Sequence, residues 1–249
     1  MNKITVIKFG GSISGNESVR KAFLKNLVAL SRKTAVVLVH GGGPEINKWL
    51  EKAGIKSKFV KGLRYTDGPA LEIVEMVLIG KVNKGLVGEL NRHGVKAVGL
   101  SGKDGGMILC KRIASLGFVG EPVSVRVGLI YELLKKRFLP VVSSLGFDGT
   151  GHTLNVNADS AAMGVACALK AGKLILLTDV EGVLDKDGKM IPKIKISAAG
   201  KLISKGVISG GMVPKIKACV KAVKSGVKEV WIAHGTADFS RLRGTVIKK

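Results

Sequence analysis

Three glycine-rich segments, each closing an apolar run, are the stretches of this 249-residue chain with the clearest chemical use. The first is Lys8-Phe9-Gly10-Gly11 after Ile4-Thr5-Val6-Ile7, and the second is His40-Gly41-Gly42-Gly43-Pro44 after the run 34–39. The third is Ser101-Gly102-Lys103-Asp104-Gly105-Gly106, which follows 95–100. Glycine leaves backbone N–H groups sterically uncovered, and loops of this kind at helix N-termini gather anions. Lys8 adds a full charge beside the first loop. None of the three has the spacing G-x-x-x-x-G-K-[ST] or a well-placed G-x-G-x-x-G, so neither a P-loop nor a standard dinucleotide site is indicated. On the first stretch alone, an ordinary strand-to-helix turn with a solvated lysine fits equally well.

The chain offers no obvious base. No Ser-His-Asp or Cys-His arrangement is visible, and His40, at the end of an apolar run, reads as a hydrogen-bonded structural histidine. Cys110, Cys167 and Cys219 are far apart, with neither metal-type nor CxxC spacing, and read as reduced core thiols. Phosphoryl transfer to a carboxylate fits this inventory, because a carboxylate with a pKa of about 4.3 is already ionised at neutral pH and no proton need be removed. That reaction asks for positive charge and oriented N–H groups around the moving phosphoryl.

Elements that would position these loops follow from hydrophobic periodicity. Helices are predicted over 17–30, 46–53, 70–92, 129–136, 160–171, 198–204 and 210–223. Buried strands are predicted from Ile4 onward and over 34–39, 95–100, 138–142 and 173–177, with shorter or closing ones at 58–60, 228–232 and 245–247. Alternation over 107–127 predicts two strands as a hairpin at a sheet edge. Strand, loop and helix alternate throughout, which defines an α/β fold with a mostly parallel sheet. Ligands bind such sheets at the carboxyl ends of the strands, where the glycine segments fall.

Charge is the unusual bulk property: 41 Lys+Arg against 18 Asp+Glu gives a net +23. Such an excess invites a polyanionic partner. The basic residues are nevertheless spread along the chain, densest at 186–205 and 215–228, and no aromatic-rich strand is present to stack bases. A solvated lysine-rich surface is the simpler reading, and nucleic acid is not favoured. No apolar run approaches the 18 or so residues of a membrane span, and the chain opens without a signal-peptide core, so a cytoplasmic location is expected.

Six ordered blocks carry a resemblance. They are Lys8-Phe9-Gly10-Gly11, His40-Gly41-Gly42-Gly43-Pro44, Gly62-Leu63-Arg64-Tyr65-Thr66-Asp67, Asn155-Val156-Asn157-Ala158-Asp159, Leu177-Thr178-Asp179-Val180-Glu181-Gly182-Val183 and Gly210-Gly211-Met212-Val213-Pro214-Lys215. With these the chain resembles the amino acid kinase family, and within it the branch acting on N-acetyl-L-glutamate in arginine biosynthesis. The resemblance implies a three-layer sandwich of helices around a mostly parallel central sheet. It also implies an N-terminal lobe (1–154) for N-acetylglutamate and dimerisation, and a C-terminal lobe (155–249) for the nucleotide.

By the same resemblance Lys8 and Lys215 are the catalytic cations and Asp159 the carboxylate that holds them. Gly42, Gly43, Arg64 and Asn155 bind the substrate, with Arg64 on its α-carboxylate. Gly10, Gly11, Thr178, Asp179, Gly182, Gly210, Gly211 and Met212 meet phosphate and nucleotide. The cosubstrate is ATP with Mg²⁺, carried mainly by the phosphates because no carboxylate cluster for a metal is apparent. Ring-shaped, arginine-inhibited members carry an extra N-terminal helix. Here the first strand starts by Ile4, which implies a homodimer without that feedback, built on the 70–92 helix where Gly80 and Gly85 permit close approach. Tyr65 departs from the usual valine and is similar to relatives acting on an amino acid attached to an acidic carrier protein. That alternative, and a non-catalytic polyanion binder on the same fold, stand beside the first reading.

Overall fold

The computed structural model describes residues 4–10, 16–60, 62–209 and 212–249. Its strands are β1 (Ile4–Phe9), β2 (Ala35–His40), β3 (Lys58–Val60), β4 (Leu63–Tyr65), β5 (Ala97–Ser101), β6 (Ile108–Arg112), β7 (Val119–Val125), β8 (Leu139–Ser143), β9 (Leu145–Phe147), β10 (Thr153–Val156), β11 (Lys173–Thr178), β12 (Lys193–Lys195), β13 (Glu229–His234) and β14 (Thr245–Lys248). The helices are α1 (Glu17–Ser31), α2 (Gly43–Lys52), α3 (Gly68–Glu75), α4 (Lys84–Arg92), α5 (Gly128–Lys135), α6 (Ala158–Ala168), α7 (Ile196–Ser204) and α8 (Met212–Lys224). Eight strands form one sheet in the order β12-β14-β13-β11-β1-β2-β8-β5. Every neighbouring pair is parallel except β13 with β14.

Apolar side chains leave β1 on both faces, which is why its sequence reads as a continuous apolar run. Val6 joins a core with Ala161, Val165 and Ala166 of α6, while Ile7 and Phe9 join a second core with Phe23 and Leu27 of α1. Helices therefore cover the sheet above and below, as the three-layer expectation requires. On α6 the small residues Ala161, Ala162 and Ala166 are all buried, and their size lets the helix lie close against the sheet.

Beyond the short strands β4 and β12, which the sequence reading did not include, two features differ from it. The hairpin of β6 and β7 exists, but it is not at an edge of the main sheet: with β9 and β10 it closes a small four-stranded barrel in the order β10-β7-β6-β9. Strands of three and four residues around the Asp148–Thr150 turn have too few positions to show alternation, so β9 and β10 left no periodic signal. The barrel is tight enough that a Cβ at Gly146 would lie 2.5 Å from the Cys110 sulfur. The second difference is in the 70–92 helix, where the stretch between α3 and α4, Met76–Asn83, is π-helical. No described helix is long and apolar enough to cross a membrane.

Candidate active site

Parallel register brings the strand ends together: Phe9 pairs with His40, His40 with Ser143, and Ser143 with Ser101. Lys8 pairs with Leu176 on the other flank of β1, two residues before Thr178 ends β11. Over this edge stand the first turns of α6 and α8, carrying Asp159 and Lys215. Lys8 Nζ lies 2.9 Å from Asp159 Oδ1, and Lys215 Nζ lies 3.7 Å from Oδ2. Asn157 caps α6 by accepting from the N–H groups of Asp159 at 2.9 Å and Ser160 at 3.2 Å, which leaves the carboxylate free to turn toward the lysines.

Burial alone would push the Asp159 carboxyl up. The adjacent charges of Lys8 and then Lys215 outweigh it and hold the group below the usual carboxylate range. Two ammoniums around one carboxylate leave a surplus positive charge. At Gly10 a Cβ would fall 2.6 Å from Lys8 Nζ, so a side chain there would push the lysine from its present position beside Asp159.

A cleft of about 270 Å³ opens beside this cluster, lined among others by Lys8, Gly10, Gly42, Gly43, Arg64 and Asn155. The N-termini of α2 and α6 both border it, and the first N–H groups of α2, which no side chain caps, favour negative charge. Arg64 on β4 is almost fully buried. Its Nη1 donates to Ser57 Oγ at 2.7 Å, its Nη2 to Asn47 Oδ1 at 2.5 Å, and the guanidinium sits 4.7 Å from the Phe59 ring centre. All these partners are neutral, and no carboxylate pairs with it among the described residues. Burial pushes its pKa down. Asn155 donates from Nδ2 to Thr66 Oγ1 at 3.1 Å.

Thr178 and Asp179 end β11, where Thr178 Oγ1 donates to Asp179 Oδ1 at 2.9 Å and holds that carboxyl below its ordinary value. Gly182 is packed against β14: a Cβ there would meet Thr245 Oγ1 at 2.7 Å. Met212 opens α8. These four do not line the 270 Å³ cleft. Gly11, Gly210 and Gly211 lie outside the described residues. Sequence reasoning missed Asn47 and Ser57, which hold Arg64, and neither sits in a pattern that could have disclosed it. Among the described residues no three His, Cys, Asp or Glu side chains gather as a metal site requires.

A helix-covered parallel sheet with glycine segments and two lysines around one carboxylate at its carboxyl edge has the means to hold an anionic group. Residues 3–234 match the amino acid kinase family, and the chain belongs to it. It is 51% identical to the acetylglutamate kinase of Endomicrobium trichonymphae over 249 residues, the whole of both chains. It is 47% identical to that of Geobacter metallireducens over 247 residues, 94% of this chain and 85% of the relative. A crystal structure from Streptococcus mutans UA159 superposes with a TM-score of 0.85 at 36% identity, covering 100% of this chain and 99% of that one. Giardia lamblia carbamate kinase bound to AMP-PNP shares the fold, with a TM-score of 0.76 at 17% identity over 100% and 99% of the two chains.

Proposed function

We propose that this protein transfers the γ-phosphoryl of ATP to the side-chain carboxylate of N-acetyl-L-glutamate, giving N-acetyl-L-glutamyl 5-phosphate and ADP in arginine biosynthesis. The observation that carries this reading is Asp159 held between Lys8 and Lys215 at the sheet's carboxyl edge. Relatives of that name, similar along the whole chain, support it.

In the reaction a carboxylate oxygen forms the new bond to the γ-phosphorus as the bond to the β–γ bridging oxygen breaks and its electron pair leaves with ADP. The nucleophile is already ionised, so the site needs no base. Lys8 and Lys215 stabilise the charge that spreads over the phosphoryl and the leaving oxygen, and Asp159 fixes both ammoniums in place. Gly10, Gly42 and Gly43 direct N–H groups at phosphate and substrate oxygens. Arg64, a buried cation with only neutral partners, suits the substrate α-carboxylate, which a guanidinium fork binds well. Asn155 contacts the substrate, while Thr178, Asp179 and Gly182, with Met212 and the adjoining Gly210 and Gly211, follow the nucleotide. Mg²⁺ travels on the ATP phosphates, since Asp159 is occupied by two ammoniums.

The sheet supports a division of labour, with β1, β2, β8 and β5 of residues 1–154 on one side and all four strands of 155–249 on the other. The first half binds N-acetylglutamate and the second ATP. The enzyme is a cytoplasmic homodimer joined along the 70–92 helix, where a Cβ at Gly80 or Gly85 would meet nothing of the same chain. Trapping the acyl phosphate with hydroxylamine tests the reading. Hydroxamate should form from free N-acetylglutamate and MgATP; turnover only with an amino acid attached to an acidic carrier protein would replace the proposal.

A further inference from the structure

His40 and Asn83 have no part in the chemistry above, yet they meet directly beneath the Gly41-Gly42-Gly43 loop. Asn83 closes the π-helical stretch and reaches into the sheet, where its Nδ2 donates to the Val141 carbonyl at 2.8 Å and to that of Leu100 at 3.3 Å. Two carbonyls can be met only by the NH₂ end of an amide, which settles the orientation of the carboxamide. The same Nδ2 stands 3.0 Å from His40 Nε2. Two donors cannot face each other, so Nε2 carries the lone pair and the ring proton sits on Nδ1. From there it donates to the Gly41 carbonyl at 3.1 Å.

Gly41 is thereby held at both ends of its residue, because its own N–H donates to the Phe9 carbonyl at 3.2 Å. Next in the chain come Gly42 and Gly43, whose N–H groups have no acceptor among the described residues and border the cleft. The arrangement is costly. Both side chains are fully enclosed, and Asn83 Oδ1 is buried without a hydrogen-bond partner, a penalty that calls for an explanation beyond packing. Gly99 is needed as well, since any Cβ there would strike Asn83 Oδ1. π-helical turns are rare and concentrate at functional sites, and this one ends on Asn83.

We propose, building on the role given above to the glycine loop, that His40 and Asn83 are positioning residues of the phosphoryl-transfer site. Asn83 sets the His40 tautomer, and the His40 Nδ1–H orients the Gly41 peptide so that the Gly42 and Gly43 N–H groups meet the moving phosphoryl and its acceptor. Burial pushes His40 down to about 4, so the ring keeps this neutral form at working pH.

Two amide replacements separate positioning from packing. H40N places an N–H where Nδ1 stands, whereas H40Q carries its amide out to the Nε2 position. H40Q should lower kcat by about tenfold or more with KM for ATP little changed, and H40N should recover to within about threefold of the wild type, at similar losses in Tm. Equal kcat in the two variants, whether both low or both normal, overturns the proposal. A second measurement needs no variant: nitrogen-15 spectra of the wild-type imidazole should show Nδ1 protonated and Nε2 bare at neutral pH, and the opposite tautomer overturns the assignment even if H40Q fails to fold. Failure of the kinase reading itself would look different, as a wild-type protein that forms no hydroxamate.

Discussion

Lys8 and His40 sit at the ends of adjacent strands and are built on opposite electrostatic terms. Lys8 is ion-paired, with 13% of its side chain exposed and a carboxylate at 2.9 Å. His40 is sealed from solvent and neutral, and it spends both ring nitrogens on fixed neighbours. A charge is tolerable at the sheet edge only where a counter-charge and a ligand-accessible cleft compensate its desolvation. One residue further toward the carboxyl end, on the neighbouring strand, His40 offers an uncharged donor instead. In the reading proposed above, the first position supplies field and the second supplies geometry.

The strongest way to break this contrast is to remove the field. Lys8→Ala or Lys215→Ala should lower kcat by about 10²–10³-fold or more while KM moves far less, because each ammonium meets charge that grows in the transition state. Near-normal kcat in both variants would end the assignment. The neutral side is tested by acid. His40 has a folded value of about 4 against an ordinary 6.5, so the unfolded chain takes up its proton first as pH falls. Stability should therefore be full above about pH 6.5 and decline toward pH 4, by on the order of 3 kcal/mol relative to H40N in denaturant unfolding. Asp159 is also depressed, so its contribution has the same sign but is lost only in more acid solution, as pH falls through its folded value. A wild-type-minus-H40N difference that stays flat from pH 7 to 4.5 would contradict the neutral role.

Arg64→Ala should act on binding instead, raising KM for N-acetylglutamate by about 10–100-fold with kcat and KM for ATP nearly unchanged, since an α-carboxylate remote from the reacting end is held alike in both states. The smallest effect concerns the +23 surface. A free amino-acid substrate is weakly steered, so kcat/KM at saturating MgATP should change by no more than about twofold to threefold between low and physiological salt. A steep fall with salt would point to an acidic macromolecular substrate, with half-exposed Tyr65 as the residue to substitute first.

The field was legible in the sequence and the geometry was not. Lys8, Asp159 and Lys215 each stand in an ordered block beside glycine or at a helix start, patterns that survive without coordinates. Asn83 sits in a helix whose sequence is plainly amphipathic, and nothing in that periodicity distinguishes a π-helical stretch from an α-helical one. His40 was readable as a structural histidine, but its partner Asn83 lies 43 residues away on a helix, and only the tertiary packing brings the two together. The central strands were legible because burial on both faces writes a continuous apolar run. The barrel was only half legible, since its hairpin alternates while β9 and β10 are too short to do so. The close approach of Thr245 to Gly182, which leaves no room for a Cβ, is likewise a tertiary contact that no local pattern discloses.

Chain order gives the position of β1 a consequence for biosynthesis. One flank of this strand is taken early, by β2, whereas the other waits for β11, whose residues 173–178 emerge more than 160 positions later. At translation rates of about 5–20 residues per second, that delay is on the order of ten to thirty seconds. Throughout it the nascent chain presents an apolar, unpaired strand edge, the kind of template that neighbouring chains on a polysome can join. Folding to the native sheet consequently waits on long-range pairing, and Lys8 meets Lys215 across Asp159 only after residue 215 has emerged.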